Sequence, residues 1–78
     1  MDKRQAYSLS REAFLFMHKD AQLPPTPTHM VMNEDENGQF ILEADGNKLT
    51  GDGPVESRFK VKLNHKGEDW SVISTEWK

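Results

Sequence analysis

Between Lys3 and Ala21 the apolar residues Ala6, Leu9, Ala13, Phe16 and Met17 recur at intervals of three and four, the spacing of one helix face. This predicts a helix over about residues 3–21, with Tyr7 and Phe14 widening the buried face and Leu15 pointing away from it. Asp2 with Gln5 forms a candidate capping box, and Ser8 or Ser10 suits a later start. Pro24 and Pro25 cannot continue a helix. Pro27 keeps the connector 23–28 extended, so this segment is expected to cross an edge of the fold.

From Met30 the period falls to two, and short alternating runs are separated by Asn-Gly, Asp-Gly, Gly-Asp-Gly and Lys-Gly turn signals. Four antiparallel strands are expected over 29–77. A three-residue loop, Glu36-Asn37-Gly38, sets Met32 opposite Leu42 and Met30 opposite Ala44. Asp45 to Pro54 holds three of the five glycines and reads as a loop, with at most a short edge pairing around Lys48 to Thr50. Val55, Phe59, Val61 and Leu63 alternate with Glu56, Arg58, Lys60 and Lys62. A four-residue loop from His65 to Glu68 then pairs Leu63 with Trp70 and Val61 with Val72. It leaves Ile73, Thr75 and Trp77 on the outer face, opposite Lys60, Arg58 and Glu56.

These parts sum to one small α+β domain, residues 1–78, with an N-terminal helix packed on one face of a four-stranded antiparallel sheet in α-β-β-β-β order. In element order this resembles a pared-down cystatin-like or NTF2-like arrangement. That resemblance implies a small-ligand pocket between helix and sheet, which would be lined by Phe16, Met17, Phe40 and Phe59 and approached by His29.

At 78 residues, 35% hydrophobic and 29% charged, the chain can close one modest core. The absence of cysteine excludes disulfides, thiol catalysis and Cys-based zinc binding, and points to a reducing cytoplasm. No apolar run approaches the roughly 20 residues of a membrane span, and no secretory signal is expected. A bacterial or phage source is the expectation from the size.

Little in the pattern points to catalysis. Asn33 to Gly38 imitates a calcium loop, but Asn33 stands at the first ligand position and Ala44 where the bidentate carboxylate belongs. His18, His29 and His65 lack a second ligand at metal spacing, and no serine lies in a glycine elbow. Neither a metal nor a cofactor is expected.

Charge segregation is the informative feature. Residues 57–67 hold Arg58, Lys60, Lys62 and Lys66 without an acid, while 33–56 hold seven acids against Lys48 alone. In the expected register the basic stripe lies beside Ile73, Thr75 and Trp77. Three readings compete for this face: lysine and arginine stems covering apolar side chains, a protein-binding surface, or a single-stranded nucleic-acid site with bases stacked on Trp77. The pI near 5.5 weighs against the last. The expectation is a small non-catalytic protein that binds another protein, for which the basic stripe suits an acidic one, through Arg58, Lys60, Lys62, Ile73, Thr75 and Trp77. The acidic turn Glu34, Asp35 and Glu36 is a secondary contact, and a homodimer is open.

Overall fold

The computed structural model describes residues 3–78. Helix α1 (Lys3–Met17) is followed by β1 (Ala21–Gln22), β2 (Met30–Glu34), β3 (Phe40–Thr50), β4 (Gly53–Lys66) and β5 (Asp69–Trp77). All pairings are antiparallel. One edge of β3 is shared by β2 and β1, the other pairs with β4, and β5 closes the sheet beyond β4. The architecture is the expected α+β class, with five strands instead of four. No helix among the described residues is long and apolar enough to cross a membrane.

The fifth strand comes from the stretch assigned to the helix end. α1 stops at Met17, with His18 N donating to Phe14 O at 2.8 Å, and the chain turns so that Ala21 and Gln22 pair with Lys48 and Asn47. Leu23 is thereby carried into the core, against Gly46. Gly46 looked like a loop breaker but is a gap in the packing, since a Cβ there would overlap Leu23 Cδ2. With that role for Gly46, β3 and β4 run on through the expected loop to a two-residue turn at Gly51-Asp52, closed by Thr50 against Gly53. Gly46→Ala is expected to destabilise the protein by about 1–3 kcal/mol through this overlap, read as a lower denaturant midpoint at unchanged m-value.

The helix face also differs from the expected stripe. Ala6, Tyr7, Ser10 and Phe14 are the buried positions, while Phe16 and Met17 are 73% and 65% exposed. The helix is turned so that Tyr7 and Phe14, two turns apart, pack on Phe59, while Ala6 of the predicted stripe stays buried. Leu15 packs against the core after all. Phe14 sits 4.8 Å from the rings of both Phe59 and Trp77, and Leu42, Ala44, Val61 and Leu63 complete the buried floor. The capping box expected at Asp2 lies outside the described residues.

Tyr7 and Arg11 tie the proline-rich connector to the helix. Tyr7 Oη donates to Pro24 O at 2.6 Å and Arg11 Nε to Leu23 O at 3.2 Å. Burial raises the Tyr7 pKa, and the Arg11 charge offsets only part of that. Because the folded chain holds this proton more tightly, the associated stability is full below the unfolded pKa near 10 and is lost as pH rises through the folded value. Tyr7→Phe is expected to lower stability by about 1 kcal/mol at neutral pH and to flatten the alkaline fall of Tm. Thermal melts of both proteins between neutral and strongly alkaline pH would show this.

Candidate functional site

The β2–β3 hairpin has the expected register, Met32 with Leu42 and Met30 with Ala44. Asp35 Oδ1 accepts from Asn37 N and Gln39 N, both at 2.9 Å, and Gly38 takes φ 77°. This turn use accounts for the residues that imitate a calcium loop.

The last hairpin differs, and the difference moves the candidate site. Gly67, at φ 65°, permits a two-residue turn closed by Lys66 against Asp69. His65 therefore faces Trp70 and Leu63 faces Val72. A β-bulge then skips Ile73, and Val61 faces Thr75 while Phe59 faces Trp77. Thr75 and Trp77 lie on the helix side of the sheet instead of the outer face. Trp77 stacks edge-on to Phe14, and Thr75 Oγ1 is 3.0 Å from His18 Nε2. Trp70, expected in the core opposite Leu63, is half-buried between His65 and Phe40, at ring distances of 4.4 and 5.1 Å.

On the outer face Arg58, Lys60 and Lys62 do form a row on β4, but each has an acidic partner. Arg58 Nε lies 3.2 Å from Asp45, Lys60 Nζ 2.7 Å from Glu76, and Lys62 Nζ 3.8 Å from Asp35. Lys78 Nζ adds a fourth pair with Glu43 at 2.8 Å. The hydrogen bond from Lys78, aided by nearby positive charges, holds the Glu43 pKa down, and the bond to Glu76 holds that of Lys60 up. Exposed pairs of this kind contribute little to stability. They do cancel the basic stripe locally, and no tryptophan stands beside it. Glu34, Asp35 and Glu36 lie at the β2–β3 turn, across β3 and β4 from β5.

Exposed Val31 stands on the outer face and Leu49 and Val55 near the β3–β4 turn, but Phe16, Met17 and Ile73 gather elsewhere. Between α1 and β5 runs an open groove of about 680 Å³, lined by Leu9, Glu12, Phe16, Met17, Val72 and Ile73, with Ala13, Ser74 and Thr75 completing it. Lys19 Nζ sits 5.2 Å over the Phe16 ring, and Ile73 is 47% exposed at the bulge. The groove lies along the edge of β5 that pairs with no other strand among the described residues. Two expected site residues, Ile73 and Thr75, belong to it. The helical period places Phe16 and Met17 in the core, whereas both are exposed and line this surface. Trp70 and Trp77, an odd number of positions apart, reach one face only through the bulge, which no turn residue or periodicity in the sequence marks.

A second cleft of about 560 Å³ lies where β1 and β2 leave a gap along β3, with Leu23, His29, Asp45 and Glu56 among its lining. Asp45 is engaged by Arg58 there. Among the described residues no group of three histidine, aspartate or glutamate side chains is placed to hold a metal ion. The pocket expected between helix and sheet does not assemble: Phe59 is fully buried, Phe16 and Met17 face outward, and that interior is filled by Tyr7, Phe14, Leu42 and Val61. Comparison with known protein families, with curated proteins and with solved structures finds no match to this chain.

Proposed function

We propose that the protein is a small non-catalytic binding module that engages another protein through the α1–β5 groove and the free edge of β5. The observation that supports this reading is the juxtaposition of exposed Phe16, Met17 and Ile73 with an unpaired strand edge. Apolar pockets beside a free edge suit addition of an extended strand, whose backbone pairs with β5 while alternate side chains fill the groove. The surface moves from the outer sheet face expected earlier to its opposite side. A cysteine-free chain suits a reducing compartment such as the cytoplasm.

Single-stranded nucleic acid is favoured less, because the basic row is ion-paired and lacks a stacking ring. The test is capture from native lysate, with and without nuclease, by the wild-type chain and by a Phe16→Asp, Ile73→Asp variant. Both substituted side chains are already exposed, so the variant is expected to melt as the wild type does. A nuclease-resistant protein band lost in the variant supports the proposal. Equal capture by both proteins rejects the groove, and recovery of nucleic acid with loss of all proteins after nuclease rejects protein binding.

A further inference from the structure

We infer that the occupant of this edge is β5 of a second copy of the chain, paired antiparallel about a two-fold axis at the bulge. The inference rests on the groove reading above and follows from the symmetry of β5 about the point between Ile73 and Ser74. Lys78 N donates to Arg58 O at 2.8 Å, so Ser74, Glu76 and Lys78 turn their peptide groups toward β4, and Thr75 and Trp77 turn theirs to the free edge. Before the bulge, closure of the turn by Lys66 and Asp69 directs Asp69 and Ser71 toward β4, leaving Trp70 and Val72 outward. The outward positions are thus 70 and 72 on one side of the bulge and 75 and 77 on the other.

A two-fold axis between Ile73 and Ser74 sets outward groups against outward groups. Val72 meets Thr75 of the second copy and Trp70 meets its Trp77, and all four side chains lie on the helix side. A regular strand cannot pair in this register without opposing inner and outer side chains, so the bulge permits a pairing that it would otherwise be expected to block. At each end Asp69 falls opposite Lys78 of the second copy, whose ammonium is then shared with Glu43 of its own chain. Along about 30 Å of joined edge the two helices run antiparallel on one face. The two half-grooves, each with its exposed Phe16 and Met17, then lie side by side and cover each other. This is an isologous contact, in which one patch serves both partners.

Sedimentation equilibrium of the wild-type chain over a wide concentration range is expected to give twice the monomer mass. The register is tested by a Ser71→Cys, Glu76→Cys variant, whose two positions oppose each other across the axis on the outer face. The native chain has no cysteine, so mild oxidation is expected to give a covalent dimer from the double variant and almost none from either single variant. A wild-type chain that stays monomeric at every concentration overturns the second-copy inference. If the Phe16→Asp, Ile73→Asp variant then loses a different captured protein, the broader groove reading stands without it. A dimer that the same variant leaves intact, or that cross-links equally through the single cysteines, also overturns it by placing the contact elsewhere.

Discussion

Phe14→Ala is expected to leave most of the chain unfolded at physiological temperature. Phe14 is fully buried and touches Phe59, Trp77 and the stacked ring of His18, at centroid distances of 4.8, 4.8 and 4.0 Å. Removing such a ring costs about 3–5 kcal/mol, from lost transfer energy and from the cavity left behind. A domain of this size, with no disulfide among the described residues, has a total stability of comparable magnitude. The loss is concentrated because Phe14 joins α1 to β4 and β5 at once. Far-ultraviolet circular dichroism and denaturant titration check it. A variant that still unfolds cooperatively with a midpoint near the wild type would mean that the helix does not depend on this ring. Trp77→Ala is costly for the same reason, so it is a poor probe of surface binding.

The second large effect is a contrast between two deletions. Removing Ile73 is expected to preserve the fold, whereas removing Glu43 is expected to abolish it. Ile73 is the residue that the register skips between Val72 and Ser74. Without it Trp70, Val72, Thr75 and Trp77 alternate regularly and keep the same face, while only an exposed side chain is lost. Glu43 lies inside β3, paired with Val31 on one side and Lys60 on the other. Its deletion turns every following β3 side chain to the wrong face, sending Leu42 and Ala44 out of phase with each other. Soluble yield and near-ultraviolet dichroism of the two deletions provide the comparison. Loss of structure on deleting Ile73 would contradict the bulge.

The same residues indicate how far the fold could be read from the chain. The helix, the β2–β3 hairpin and the alternation of β4 were legible because each rests on a local signal, the period or Asn-Gly, whereas the connector bends between two strands on one edge of β3 instead of crossing an edge. The face of α1 was not legible, because Phe16 and Met17 satisfy the period as well as Tyr7 and Phe14 do, and only packing against Phe59 decides between them. Gly46 misled for a related reason. A glycine that makes room for Leu23 cannot be distinguished locally from one that ends a strand. The candidate site suffered most. The two-residue turn slid the register by two positions and kept each side chain on its face, but the one-residue bulge moved Thr75 and Trp77 across the sheet, while Arg58, Lys60 and Lys62 fell on the predicted face.

The order of pairing has a consequence for how the chain folds. β2, β3, β4 and β5 each pair with the next through short turns, so this part of the sheet grows without closing a long loop. Only α1 and β1 must find partners far along the chain, with Ala21 and Gln22 reaching Lys48 and Asn47. Local pairing favours fast assembly. The hairpins can form first and present an incomplete apolar floor, which α1 then covers by docking Phe14, so the helix is the late-arriving and early-departing part of the molecule.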